Sequence, residues 1–291
     1  AMYRAKEQGK ARFKVFNQKM HDQAMHLLEL ESDLRKALER NEFVLFYQPI
    51  VDLATGRLAG FEALVRWMHP QLGLVGPMEF IPLAEDTGLI FGLGEWVLRT
   101  ACGQIGAWQR AFGDAAAPHV AVNLSPKQFM QPNLVQVIAQ IVEQSGVDPE
   151  KLKVEITESV LMDNAEAAVD MLGKLRRLGL HLSIDDFGTG YSSLSYLQRF
   201  PVDILKIDRR FISGFGPERE SQVMVRSIVS LARNLNLKVV AEGVDQQVQT
   251  RLLRELGCDF AQGFLFSRPV PQDKAEDLLR DDAPLRACLG G

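Results

Sequence analysis

The chain has 291 residues, of which 46% are hydrophobic and 24% charged. This is ordinary globular usage and excludes a disordered chain. A formal net charge of −4 argues against a general binder of nucleic acid or membrane surfaces, although one positive pocket for a nucleotide is compatible with it. The three cysteines, Cys102, Cys258 and Cys288, are odd in number and form no C-x-x-C pair, which excludes a disulfide framework and a thiolate zinc site. The five histidines are scattered without i, i+4 spacing. No apolar run reaches membrane-spanning length and no signal peptide is read, so a reducing, cytoplasmic setting is expected. The chain opens at Ala1 in mid-pattern and is expected to be part of a longer protein.

In chain order, Leu27, Leu30, Leu34 and Leu38 recur with helical spacing over residues 21–40, and Asn41 is a plausible stop. Residues 43–51 read as a strand. Asp52 to Arg57 form a tight turn into a second strand around Phe61-Glu62-Ala63-Leu64-Val65-Arg66-Trp67. So short a connection requires an antiparallel pair. Period-two alternation puts Glu62, Leu64 and Arg66 on one face of the second strand. From there helices alternate with strands. Helices are expected over residues 77–87, 93–112, 132–145, 165–178, 220–235 and 246–256, with Gly146 and Gly179 as stops. Strands are expected over residues 119–124, 152–157, 180–185, 203–208, 237–243 and 258–263. About eight strands separated by helices suit an α/β barrel. A doubly wound open sheet is the alternative, but no G-x-G-x-x-G follows the first strand.

Parity then gathers the chemistry. Glu62, Asn123, Glu155, Asp185, Lys206 with Asp208, Glu242 and Gln262 lie near the C-terminal ends of different strands, which in a parallel barrel converge on one mouth. An internal ion-pair network would need as many basic partners, and only Lys206 and Arg66 offer themselves. A bound cation therefore balances the charge better. All donors are oxygens, which selects Mg²⁺ or Mn²⁺ over zinc or copper. Asp185 and Asp186 are adjacent, and a regular strand would point them apart. At a strand end entering the glycine loop Gly188-Thr189-Gly190 both could reach metal, and one bridging carboxylate would make a two-ion centre suited to water attack on a phosphodiester. Lys206 would act there as a base or as a stabiliser of charge. Arg66 would grip a phosphate oxygen. Ca²⁺, with its longer bonds and higher coordination, is expected to inhibit.

The motifs Glu62-Ala63-Leu64, Asn123-Leu124-Ser125, Glu155-Ile156-Thr157-Glu158, Asp185-Asp186-Phe187-Gly188-Thr189-Gly190, Lys206-Ile207-Asp208, Ala241-Glu242-Gly243-Val244 and Gln262-Gly263-Phe264 together resemble the EAL family of cyclic di-GMP phosphodiesterases. The resemblance runs from about residue 25 to 280. It implies a modified TIM-type (β/α)8 barrel with an antiparallel first strand, two Mg²⁺ or Mn²⁺ ions, and hydrolysis of cyclic di-GMP to linear pGpG. It implies metal binding by Glu62, Asn123, Glu155, Asp185, Asp186 and Glu242, with Asp208 and Gln262 supporting the ions, their water or the substrate. Lys206 would orient or deprotonate the attacking water, and Gln48, Leu64 and Arg66 would contact substrate. Glu158 would hold the loop after Asp186, through its backbone N–H groups or the hydroxyl of Thr189 or Ser192. Some relatives bind the nucleotide without cleaving it, so a silent cyclic di-GMP receptor is the alternative. Asp245 stands where many relatives have Glu. Residues 1–24 resemble the end of a GGDEF-type domain and its linker, without that domain's signature motif. They imply preceding GGDEF-type and sensory domains, residues 25–282 being the barrel and 283–291 a tail. Self-association as a homodimer is expected near the short helix after Tyr191.

Overall fold

The computed structural model of the chain describes residues 30–114, 116–190, 194–216 and 219–289. Residues 1–24, Leu27, Tyr191 and Ser192 therefore lie outside the described residues. The described residues fall into two compact units, residues 30–44 with Arg66–Leu93, and Leu45–Val65 with residues 94–289.

The strands are β1 (Phe43–Asp52), β2 (Leu58–His69), β3 (Gly73–Val75), β4 (His119–Asn123), β5 (Leu152–Thr157), β6 (His181–Phe187), β7 (Ile204–Ile207), β8 (Lys238–Ala241) and β9 (Phe260–Ala261). Eight of them close a barrel in the order β1-β9-β8-β7-β6-β5-β4-β2, with β1 pairing again with β2. From β2 through β4 to β9 every pairing is parallel. β1 runs antiparallel to β9. The cause is local: Asp52 N–H donates to Arg57 O at 2.9 Å, and Thr55 bonds the Asp52 carboxylate, closing a turn too short for a crossover. The fold is thus a TIM-type barrel with a reversed first strand.

Alternation sorts the barrel residues. Phe61, Ala63, Val122, Val154, Ile156, Leu205, Ile207 and Val239 face outward into one large apolar core with the helices. Trp108 sits in that core, its ring centroid 5.1 Å from Tyr47 and 5.4 Å from Phe61. A smaller cluster of Ile50, Ile204 and Val240, with Phe260 against it, fills the barrel interior. Two residues along each strand from this apolar layer come Gln48, Lys206, Glu242 and Gln262. On β1, β7, β8 and β9 the interior is therefore apolar below and polar above, whereas β5 and β6 carry Lys153 and Ser183 in the lower layer.

The first unit contains the helix of residues 30–37, which ends before Asn41 in the left-handed region at φ 54°. Its core gathers the rings of Phe43, Trp67 and Phe80. Trp67 Nε1 donates to Glu42 Oε2 at 2.9 Å. β3 pairs back on β2 as a hairpin that the sequence pattern does not announce, since a three-residue strand shows no periodicity. In the second unit five helices also escape the pattern: Pro126–Phe129, Glu158–Asp163, Arg209–Ser213, Gln272–Arg280 and Ala283–Ala287. The last of these buries Leu285 fully, and Asp282 beside it accepts from Leu58 N–H at 3.4 Å. No helix among the described residues is long and apolar enough to cross a membrane.

Candidate active site

The parallel strands deliver their C-terminal side chains to one mouth of the barrel. At its centre is Lys206, buried at 1% exposure. Its Nζ lies 2.6 Å from Glu155 Oε2, 2.6 Å from Glu242 Oε1, 3.3 Å from Asp185 Oδ1 and 3.6 Å from Glu62 Oε2. Burial works against the ammonium, but Asp185, Glu155, Glu242 and Glu62 outweigh it and push the lysine pKa well above its ordinary value.

One ammonium does not satisfy this many carboxylates. Glu62 fares best: burial opposes its ionisation, but Lys206 and hydrogen bonds from Gln262 and Asn123 hold its pKa below the usual value. Asn123 Nδ2 donates to Glu62 Oε1 at 2.6 Å and Gln262 Nε2 to Glu62 Oε2 at 2.6 Å. Burial raises Glu155 well above the carboxylate range despite Lys206, with Glu62 and Asp185 adding to the shift. Burial likewise lifts Glu242 to about 8, against the pull of Lys206 and with the push of Asp185 and Glu62. Asp186 rises to about 6 through burial, a hydrogen bond shared with Asp208, and the Asp185 charge.

Asp185 and Asp186 share the mouth because β6 is irregular. Its register with β7 shifts between Ile184 and Phe187, and Asp186 takes φ 53°. That bulge undoes the alternation that would send the two carboxylates apart. Oxygen atoms of Asp185, Asp186 and Glu242 lie within 4.8 Å of one another. Of the other expected ligands, Glu62 is engaged by Lys206, Asn123 and Gln262, and Glu155 by Lys206 through Oε2.

The donor set fits a hard divalent cation. It is all oxygen, it carries more negative charge than Lys206 balances, and three of its carboxylates, Glu155, Asp186 and Glu242, are lifted in pKa by burial first and by their like-charged neighbours. Gln262 Oε1 is also buried without a hydrogen-bond partner. Such an acceptor suits an ion's water.

Gln262 Nε2 also donates to Gln48 Oε1 at 3.0 Å, and Gln48 Nε2 donates to Ser267 O at 3.1 Å. Leu64 follows Glu62 by one alternation and is half-buried. Arg66 belongs to the first unit and is half-buried there. Asp208 caps the helix Arg209–Ser213: its Oδ1 accepts from Arg210 N–H at 2.8 Å and from Arg210 Nε at 2.9 Å. Arg210 is thus a neighbour of the site that sequence reasoning missed, and a cap at the start of a short helix is the signal that could have found it.

Glu158 is 1% exposed, at the start of a helix. Its Oε2 accepts from Gly188 N–H at 2.8 Å. Gly188 takes φ 93°, a conformation only glycine adopts easily, and a Cβ there would press on the Phe211 ring at 2.8 Å. Thr189 Oγ1 donates to Asp186 O at 2.9 Å. The loop is therefore tied at its start by the carboxylate and by its own threonine.

Known proteins decide the family. The EAL domain family matches residues 31–269. The chain belongs to that family. It is 47% identical over 279 residues to the bifunctional diguanylate cyclase/cyclic di-GMP phosphodiesterase MucR of Pseudomonas aeruginosa, covering 96% of this chain and 40% of that protein. It is 42% identical over 280 residues to the cyclic di-GMP phosphodiesterase NbdA of the same organism, covering 96% of this chain and 36% of that protein. Among solved structures, the PaMucR phosphodiesterase in complex with c-di-GMP matches with a TM-score of 0.81 at 47% identity, covering 85% of this chain and 99% of that one. The chain spans less than half the length of these curated relatives. Within this EAL domain, the segments that resemble the family's motifs build the barrel mouth.

Proposed function

We propose that this EAL domain hydrolyses cyclic di-GMP to linear pGpG in a reaction that depends on two Mg²⁺ or Mn²⁺ ions. The observation that carries the reading is the buried lysine ringed by Glu62, Glu155, Asp185 and Glu242, beside the converging oxygens of Asp185, Asp186 and Glu242. Glu62, Asn123, Glu155, Asp185, Asp186 and Glu242 would hold the ions. When bound, the ions supply an activated water and neutralise charge on the phosphodiester. Water adds to one phosphorus, the P–O3′ bond breaks, and the 3′ oxygen leaves with a proton, giving one 5′-phosphate and one free 3′-hydroxyl.

The protein's own groups have separate duties. The surrounding carboxylates keep Lys206 protonated, which favours donation of a hydrogen bond to the attacking water or the phosphoryl oxygen over proton abstraction. Asp208 supports Asp186, and Gln262, held against Gln48, presents its free oxygen to the water. Gln48, Leu64 and Arg66 contact the nucleotide, Arg66 through its fork. The relatives' greater length and the bifunctional name of MucR support preceding GGDEF-type and sensory domains, with residues 1–24 the end of the former, residues 25–282 the barrel and 283–291 a tail. We place the domain in the cytoplasm, acting as a homodimer.

The test is direct. Pure protein incubated with cyclic di-GMP and Mg²⁺ or Mn²⁺ should release pGpG, seen by chromatography, and EDTA should abolish the product. Ca²⁺ should bind and inhibit. Full activity in EDTA would remove the metal from the reaction.

Glu158 offers a second test. Glu158→Gln or Glu158→Ala is expected to lose most activity, need more Mg²⁺ for the remainder, and keep its circular dichroism. The carboxylate anchors Gly188, two residues past Asp186, so its loss frees a metal ligand's backbone. An unchanged half-saturating Mg²⁺ concentration with unchanged turnover would reduce Glu158 to a helix-start glutamate.

A further inference from the structure

The barrel interior is not filled at its foot, the end away from the mouth. In barrels of this type bulky branched side chains dominate the interior layers. Here β2 contributes Gly60, β4 Ala121 and β6 Ser183. The resulting cavity measures about 350 Å³ with its solvent-facing end, and its enclosed part takes about one or two water-sized groups. One wall is apolar, formed by Ile50, Ile204, Val240 and Phe260. The other carries Lys153.

The proposed reaction does not use Lys153. It is half-buried, and no carboxylate among the described residues comes within 4.0 Å of its ammonium. Glu155 and Asp203 act on it only from further away. Both are already engaged: Glu155 Oε2 meets Lys206 at 2.6 Å, and Asp203 accepts from Arg176 at 2.8 Å and from Leu182 N–H at 2.9 Å. Ser183 adds a second unmatched donor. It is 1% exposed, and its Oγ has no hydrogen-bond partner among the described residues. The register sets Ser183 between Glu155 and Ile204, which both line the cavity. Lys153 pairs with His181 and Glu155 with Ser183, so Lys153 and Ser183 are diagonal neighbours on adjacent strands.

An ammonium and a buried hydroxyl, both without a close partner, suit a negatively charged acceptor. The space limits that acceptor to a head group of a few atoms, and the facing wall favours a short apolar chain. We propose that the foot cavity binds a small monocarboxylate, its head group on Lys153 Nζ and Ser183 Oγ and its chain along Val240 and Phe260. The site shares only Glu155 with the mouth and stands independently of the phosphodiesterase reading.

The experiment titrates sodium propionate into the full chain by calorimetry. EDTA is present, so that no cation draws anions to the mouth, and sodium chloride at equal ionic strength is the control. Propionate should bind saturably and chloride should not. Formate, which lacks the chain, should bind more weakly than propionate. Lys153→Met should weaken propionate binding by about tenfold or more. Ser183→Ala should weaken it by about tenfold, the scale of a lost hydrogen bond to a charged group, without lowering the melting temperature, since the hydroxyl removed had no partner. Parent-like affinity in both variants, heats that chloride reproduces, or no saturable propionate binding overturns the site. If Lys153→Met does not fold, Ser183→Ala decides alone. Neither nucleotide nor metal enters the assay, so each result leaves the phosphodiesterase reading to its own test.

Discussion

Lys206→Ala is expected to lower turnover by roughly 10²-fold or more while nucleotide affinity stays within about tenfold, the range for losing one positioned donor to the charge that develops in the transition state. Four carboxylates stand within 3.6 Å of its Nζ. The same geometry carries a cost to the fold. Removing the ammonium leaves buried carboxylates facing one another, and breaking a buried pair from one side costs about 3–5 kcal/mol. The metal-free variant should therefore melt earlier than the parent, and added Mg²⁺ should restore more of its stability than it adds to the parent. Single-turnover kinetics at saturating substrate, with melting curves at several Mg²⁺ concentrations, separate the two effects. Near-normal turnover would take Lys206 out of the chemistry. Equal melting without metal would mean that the carboxylates take up protons at no cost.

Divalent-ion affinity is expected to rise steeply with pH between about 6 and about 8, the values to which Asp186 and Glu242 are lifted. Both groups hold protons in the cation-free site at a pH where ordinary carboxylates have lost them. A bound cation must displace those protons, so affinity gains about tenfold per pH unit for each proton released. The same shifts act on stability with a definite sign. Between the unfolded carboxylate pKa and the raised folded one, the native state binds more protons than the unfolded chain. These two groups therefore make the metal-free protein less stable as pH rises through that window. Glu62 and Asp208, which are held low, act in the opposite sense, and their stabilisation is lost as pH falls below the ordinary carboxylate range. Calorimetric titration with Mn²⁺ at pH 5.5, 7 and 8.5, without nucleotide, checks the prediction. A flat profile would mean that the lifted carboxylates do not ligate.

Much of the fold was legible because period and punctuation agree with tertiary packing. Residues 134–145 show helical spacing, and Gly146 closes that helix at φ 65°. The turn from Asp52 to Arg57 is short enough to dictate the reversed first strand. Where the signal failed, the cause was length or tertiary support. Gly73–Val75 is too short for alternation to register. Gln272–Arg280 has a mostly polar surface and buries only Ala275 fully, so its apolar stripe is narrow.

The sequence by itself determined which chemistry the barrel mouth offers. Oxygen donors and one lysine stand near strand ends, and alternation alone puts Glu62, Glu155, Asp185 and Lys206 on interior faces. Only the tertiary structure decided how those groups share their charge. Adjacent aspartates on a regular strand point apart, and it is the bulge at Asp186 that lets both join Glu242, a distortion set by pairing with β7 and invisible in residue order. Likewise, nothing in the spacing of Lys206 reveals that Glu155 and Glu242, 51 residues before it and 36 after it, would both close to 2.6 Å. Barrel closure brings them together, and burial there makes each unbalanced charge costly.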